Sequence, residues 1–153
     1  MINNIGIVGL GSIGQRHLRL AKELRPKLNI IAVRSGMGKK IEEEKLLNAV
    51  VHSLDEAIVY GIEASIIATP AIYHVKQAIE LMERGIHVLI EKPLSHSLDK
   101  INELFKTQKK SKSVCLVGYC LRYDPGALKF NELLNNNKIG QILHVQIDCG
   151  SYL

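Results

Sequence analysis

The stretch IGIVGLGSIG, at residues 5–14, decides the fold. Its first half is a short apolar run that ends in glycine, which is typical of a buried strand. Apolar residues then recur at helical spacing for about three turns. A GxGxxG sequence therefore lies where a strand becomes a helix, and this context predicts a phosphate-binding turn.

Each glycine of the motif has a physical reason. Gly9 allows the tight turn, Gly11 lets a diphosphate approach the backbone, and Gly14 lets the helix pack closely against the sheet. Ser12 and Ile13 begin the helix, whose free N–H groups attract an anion. We expect these five residues to hold the phosphates of a cofactor.

Short apolar runs and amphipathic stretches alternate along most of the chain. Strands are predicted near residues 5–9, 29–33, 50–51, 64–68, 87–90 and 114–117. Helices are predicted near residues 13–24, 42–47, 54–60, 70–84 and 98–109. Six strands separated by helices indicate an α/β fold, a doubly wound parallel sheet of the Rossmann type, over residues 1–120.

Three helix ends carry specific signals. Ser53 and Glu56 have the spacing of a capping box, so the helix over 54–60 is expected to begin there. Thr69 is expected to cap the next helix, with Pro70 at its first position. Gly85 is the expected C-terminal cap of that helix.

The pattern changes after Gly118. A helix over 124–134, an asparagine loop and a strand over 142–147 predict that residues 121–153 begin a second, truncated α+β domain. The edge of an orphan strand over 142–149 is unpaired, so we expect this segment to be disordered, folded back or paired with another copy. Pairing with another copy favours a homo-oligomer.

Composition limits the class of protein. The 153 residues are 46% hydrophobic and 23% charged, which fits one globular domain and a little more. The net charge of +5 permits an anionic partner, but two Phe and no Trp give no stacking platform, so nucleic acid is not expected. No apolar run reaches the roughly 18 residues of a membrane span, and no signal peptide is visible. The three cysteines lack disulfide or zinc spacing, so we expect a cytoplasmic protein without a metal site.

The end of the second strand bears on the choice of cofactor. An acidic residue there binds the ribose hydroxyls of NAD, but this chain has Arg34 and Ser35. An arginine beside a hydroxyl can hold a 2′-phosphate, and Lys39 and Lys40 add positive charge, which favours NADP. NAD remains open, because an arginine can also stack on adenine.

Two further motifs complete the pattern: Ala68-Thr69-Pro70 followed by His74, and Glu91-Lys92-Pro93. Together with the glycine motif, and at these spacings, they resemble the Gfo/Idh/MocA family, which is the group of glucose–fructose oxidoreductase and inositol dehydrogenase. The resemblance runs from residue 4 to about residue 125.

The resemblance implies an NADP- or NAD-dependent oxidoreductase that acts on a sugar, a cyclitol or a nucleotide-linked sugar. It implies that Ala68, Thr69 and Pro70 lie against the cofactor and that Glu91 and Lys92 lie beside the nicotinamide. His74, on the helix after Pro70, is also expected to be a cofactor-binding residue. An ammonium at this sheet edge can hold a substrate hydroxyl and stabilise the developing alkoxide, so Lys92 is the expected catalytic and substrate-binding residue. Glu91 is expected to fix Lys92.

The segment from Gly118 to Pro125 resembles the family's crossing into the substrate domain, with Cys120 in place of the usual Asn. Arg122 matches the family pattern and is expected near the substrate or the domain interface. The acid–base histidine of the family's second domain has no counterpart here, so we expect the 153 residues to bind a dinucleotide without turning over a sugar. A non-catalytic dinucleotide-sensing module, for which Lys92 is dispensable, is the alternative.

Overall fold

Six parallel strands form one sheet in the order β3-β2-β1-β4-β5-β6. They are β1 (Asn4–Val8), β2 (Asn29–Val33), β3 (Ala49–Val51), β4 (Ala64–Ile67), β5 (His87–Ile90) and β6 (Cys115–Val117). The computed structural model describes residues 2–148 and 150. The predicted doubly wound parallel sheet is confirmed.

Four helices connect these strands: α1 (Ser12–Leu24), α2 (Leu54–Val59), α3 (Ala71–Glu83) and α4 (Ile101–Ser111). The polar helix expected over 42–47 is a 3₁₀ helix over Glu42–Leu46. Helix α4 begins three residues later than predicted, because the Ser97 and Asp99 side chains form local bonds there. Such bonds compete with helical hydrogen bonding. Within the described chain, none of these helices is long and apolar enough to cross a membrane.

The core lies on both faces of the sheet, because successive residues of a strand point to opposite sides. Ile30 and Ala32 of β2 belong to one apolar cluster, whereas Ile31 and Val33 belong to the other. The first cluster includes Leu18 of α1. The second includes a buried residue from each of three helices: Ala57, Ala78 and Leu104. Helices therefore cover both faces, as the doubly wound fold requires.

The start of α2 gives the first prediction. Ser53 Oγ accepts a hydrogen bond of 3.2 Å from the Glu56 backbone N–H, so the predicted cap is confirmed. Ser53→Ala should lower the free energy of unfolding by about 1 kcal/mol, because that N–H then loses its partner. Ser53→Thr keeps the hydroxyl and should retain most of the wild-type free energy of unfolding. Urea denaturation of the three proteins checks this, and equal stabilities would contradict it.

The chain divides into two units, of which the first ends at Gly118. The second unit contains a 3₁₀ helix over Cys120–Tyr123 and helix α5 over Pro125–Asn135. Asp124 caps α5 by accepting a 2.9 Å bond from the Ala127 backbone N–H. The strand predicted over 142–147 is wrong: residues 142–148 form neither helix nor strand. A strand needs a pairing partner, and the described part of this unit has no other strand. Cys149 lies outside the described residues.

Candidate functional site

The sheet contains one topological switch point. From β1 the chain proceeds outward to β2 and β3, then returns to β4 on the other side of β1. In open α/β sheets, ligands bind at the carboxyl ends of the strands at such a point. A cleft of about 640 Å³ lies there, and seven of the predicted cofactor residues line it: Gly9, Gly11, Arg34, Ser35, Ala68, Thr69 and Pro70.

The three glycines of the turn have different surroundings. Gly9 has φ +92°, and a Cβ on it would lie 2.9 Å from the Ala68 carbonyl oxygen. A Cβ on Gly14 would lie 2.0 Å from the Gly9 carbonyl oxygen, so helix and turn touch there. A Cβ on Gly11 would meet nothing within 4 Å, although Gly11 lines the cleft. Chain packing therefore requires Gly9 and Gly14, while the space at Gly11 is open for a ligand.

Helix α1 begins at Ser12 beside this open space. Its first turn contains no acidic residue, and no side chain caps it. The first N–H groups of a helix have no partner inside the helix and carry partial positive charge. Ser12, Ile13 and Gly14 therefore offer backbone donors suited to a phosphate.

Arg34 lies at the end of β2 and is engaged within the protein. Its guanidinium forms an ion pair with Glu44 of the 3₁₀ helix and donates a 2.8 Å hydrogen bond to the Lys39 carbonyl oxygen. The positive charge on which the sequence-based preference for NADP depends is thus compensated. Ser35, the next residue, has a hydroxyl within 3.4 Å of the Met37 backbone N–H.

The Thr69-Pro70 turn follows β4. The sequence predicts that Thr69 caps α3, and this prediction is wrong. The Thr69 hydroxyl instead donates a 2.7 Å hydrogen bond to Gln77 Oε1. The helix starts one residue later, at Ala71, so Pro70 takes the capping position. Arg84, rather than the predicted Gly85, takes the C-cap position of α3, and Gly85 follows it with φ +76°, the left-handed conformation that commonly ends a helix.

His74 on α3 is buried, with 1% of its surface exposed. Its Nδ1 lies 2.9 Å from the Pro93 carbonyl oxygen and its Nε2 lies 2.7 Å from the Thr69 carbonyl oxygen. His74 therefore joins the turn after β4 to the turn after β5. This contact makes it a positioning residue for both turns.

The Glu91-Lys92-Pro93 turn follows β5. Glu91 Oε1 lies 2.7 Å from His17 Nε2 on α1, and Glu91 Oε2 accepts a 3.1 Å bond from the Lys92 backbone N–H. Glu91 thus fixes the backbone of Lys92 and ties it to the helix of the phosphate-binding turn. The Lys92 side chain is exposed, and its ammonium has no ion pair or hydrogen bond to residues 2–148.

Several residues of the cleft were not predicted from the sequence. Met37, Gly38, His52, Tyr73 and Gln77 also line it. His52 follows β3 directly, so the rule that ligands bind at the carboxyl ends of parallel strands could have found it. Tyr73 and Gln77 are four residues apart, which puts them on one face of α3.

His52 is held from two sides. Its Nδ1 lies 3.1 Å from the Arg34 carbonyl oxygen, and its backbone N–H donates a 3.2 Å bond to Glu56 Oε2. The hydrogen bonds from the His52 backbone and from the Ser53 hydroxyl lower the pKa of Glu56 below its usual range. Glu56, which contacts the Ser53 cap of α2, therefore also holds His52 of the cleft in place.

The remaining predicted residues lie in or near the second unit. Arg122 is exposed in the 3₁₀ helix over Cys120–Tyr123, and its role stays a prediction. Cys120 and Cys115 are free thiols. Burial raises the pKa of the Cys115 thiol, which disfavours its reactive thiolate form.

Known proteins share this architecture. Residues 3–119 match the model of an oxidoreductase family with an NAD-binding Rossmann fold. A 4-carboxy-2-hydroxymuconate-6-semialdehyde dehydrogenase from Sphingobium sp. is 28% identical, over 97% of this chain and 47% of its own length. An inositol 2-dehydrogenase/D-chiro-inositol 3-dehydrogenase from Shouchella clausii is 25% identical, over 95% of this chain and 44% of its own.

Among solved structures, the scyllo-inositol dehydrogenase from Lactobacillus casei, with bound NAD(H) and scyllo-inositol, is 25% identical. Its TM-score is 0.81, and the match covers 92% of this chain and 43% of that one. The chain therefore spans slightly less than half the length of the relatives it matches. The extent of the family match shows that the chain belongs to the Gfo/Idh/MocA oxidoreductases, with an NAD-binding Rossmann fold.

Proposed function

We propose that the chain is the cofactor domain of an oxidoreductase that moves hydride between a nicotinamide dinucleotide and a hydroxyl or carbonyl group of a sugar, cyclitol or nucleotide sugar. The observation that carries the proposal is the exposed Lys92 ammonium, which has no partner among the described residues and lies at the same sheet edge as the phosphate-binding turn. The turn accounts for cofactor binding, and the ammonium accounts for chemistry on an alcohol.

The cleft fits the dinucleotide. The open space at Gly11 and the N–H groups that begin α1 suit its diphosphate. Arg34 and Ser35 line the part of the cleft next to β2, where the adenine ribose binds in this fold. Ala68, Thr69 and Pro70 line the opposite wall, beyond β4. The bound nicotinamide supplies the hydride acceptor.

The chain's own residues supply part of the remaining chemistry. Lys92 would donate a hydrogen bond to the substrate hydroxyl and stabilise negative charge on that oxygen as the C–H bond breaks, with the hydride passing to the nicotinamide and the hydroxyl proton passing to a base of the substrate domain. Glu91 and His17 hold the Lys92 backbone against α1, and His74 holds Pro93 against Thr69. These contacts fix the backbone from which the Lys92 side chain projects, which helps to place the ammonium for hydride transfer.

The relatives support the substrate class, since two of the three proteins compared are inositol dehydrogenases. We propose residues 1–120 as the cofactor domain and 121–153 as the beginning of a substrate domain that includes Arg122. On this proposal the 153 residues bind the dinucleotide without turning over a sugar, because the substrate domain supplies much of the substrate pocket. A cytoplasmic homo-oligomer is the proposed setting.

Gly11→Ala tests the phosphate-binding turn. Gly11 has extended backbone, with φ −66° and ψ −173°, and room for a Cβ, so the change should leave the melting temperature unchanged or slightly raised. Its methyl group would enter the space of the diphosphate, and the Kd for NAD should rise by about tenfold or more. Calorimetric titration and thermal unfolding measure the two effects. An unchanged Kd would contradict the assignment.

A further inference from the structure

We infer that Glu44 makes the cleft prefer a dinucleotide with a free 2′-hydroxyl over one with a 2′-phosphate, by holding the Arg34 guanidinium in an ion pair. The inference deepens the proposed function and rests on it. In this fold the residue at the end of β2 chooses between the two cofactors. Here that residue is Arg34, whose positive charge is already neutralised by the Glu44 carboxylate.

The pair is enclosed by the loop between β2 and β3. The side chains of Arg34 and Glu44 are 16% and 10% exposed. Glu44 Oε1 also lies 3.3 Å from the Ile41 backbone N–H, which orients the carboxylate. A Cβ on Gly38 would lie 2.8 Å from Arg34 Nη2, so the loop closes tightly over the guanidinium. The carboxylate absent from β2 is therefore supplied by the 3₁₀ helix that follows it.

This arrangement disfavours a 2′-phosphate for two reasons. If Arg34 turned away from Glu44 to bind the phosphate, it would leave a largely buried carboxylate without its partner. If the pair stays together, the Glu44 charge repels a phosphate beside Arg34. A neutral ribose hydroxyl meets neither obstacle.

The other charged residues near the cleft do not offset the effect of Glu44 on a 2′-phosphate. Lys39 and Lys40 are exposed, so solvent and salt screen their attraction for a phosphate. Glu42 pairs with Lys45, and both side chains are more than half exposed. Glu43 pairs with Arg19 of α1. Glu44 is the acidic residue of this 3₁₀ helix that contacts Arg34.

The test is a calorimetric titration of the 153-residue chain with NAD and with NADP. The wild-type protein should bind NAD more tightly. In Glu44→Gln the Kd for NADP should fall by about tenfold, as expected when one charge beside a phosphate is removed. The Kd for NAD should change by less than about twofold, because the ribose hydroxyl needs no charge.

Glu42→Gln is the matched control, since it makes the same change on the same 3₁₀ helix at an exposed pair. It should leave the ratio of the two Kd values unchanged. The double variant Arg34→Ala/Glu44→Gln should not show the lower Kd for NADP, because no guanidinium is left to bind the 2′-phosphate. Melting temperatures show whether each variant is folded, and Glu44→Ala serves as a second variant if Glu44→Gln is not.

The outcomes separate this inference from the proposed function. If the folded wild-type chain binds neither dinucleotide, the proposed function is wrong and the inference fails with it. If the wild-type chain binds NAD, two results overturn the inference alone: a wild-type preference for NADP, or an equal shift in Glu44→Gln and Glu42→Gln. The wild-type preference is measurable even if every Glu44 variant unfolds.

Discussion

Gly14→Ala should unfold part of the cofactor site and remove dinucleotide binding. The added Cβ would lie 2.0 Å from the Gly9 carbonyl oxygen, far inside the distance at which nonbonded atoms touch. Both groups belong to the backbone, so helix α1 or the turn must move. We expect a loss of about 3 kcal/mol of stability and a fall in melting temperature of roughly 10 °C.

Thermal unfolding followed by circular dichroism measures the effect, and titration with NAD measures the loss of binding. Gly11→Ala is the matched control, because it adds the same methyl group three residues earlier, where nothing lies within 4 Å. The two variants should both bind poorly but differ in stability. A Gly14→Ala protein with wild-type stability would mean that the close approach of helix and turn is wrong.

Lys92→Met should reduce kcat by about a thousandfold in the full oxidoreductase that we propose, in which this chain is the cofactor domain. Methionine keeps the length of the side chain but removes the ammonium that stabilises the developing alkoxide, an effect of this order. The Kd for NAD should stay within about threefold, because the role proposed for Lys92 is at the substrate rather than at the phosphates. Stopped-flow measurement of NADH formation, with a sugar or cyclitol as substrate, gives the rate.

Lys106→Met is the control for loss of an exposed lysine, since Lys106 lies on α4 and outside the cleft. It should leave kcat unchanged. If Lys92→Met also leaves hydride transfer unchanged, Lys92 has no catalytic role. A protein that responds to the dinucleotide but never oxidises a substrate would instead be the sensing module considered above.

Local sequence patterns predict most of this fold because the sheet is buried on both faces. Each strand is then a short apolar run, as in residues 29–33, and each connecting helix has an apolar face. Ser53 and Gly85 mark helix ends through local chemistry: the Ser53 cap is confirmed, and Gly85 lies one residue beyond the C-cap of α3. Where the residues of one strand or helix determine its structure, the local sequence is sufficient to predict it.

The predictions that fail depend on distant partners. Thr69 does not cap α3, because its hydroxyl donates its hydrogen bond to the Gln77 side chain instead. The segment 142–148 has the composition of a strand, but the described part of the second unit contains no strand to pair with it. Arg34 suggests a free positive charge in the sequence, and only the folded loop brings Glu44 to it. Local periodicity carries no information about such contacts.

Calorimetric titration of the 153-residue chain with NAD tests the central claim most directly. We predict that one dinucleotide binds per chain and that Gly11→Ala, while still folded, weakens binding by about tenfold or more. A folded wild-type chain that releases no binding heat with NAD or NADP at several temperatures, and shows no rise in melting temperature with either, would contradict it.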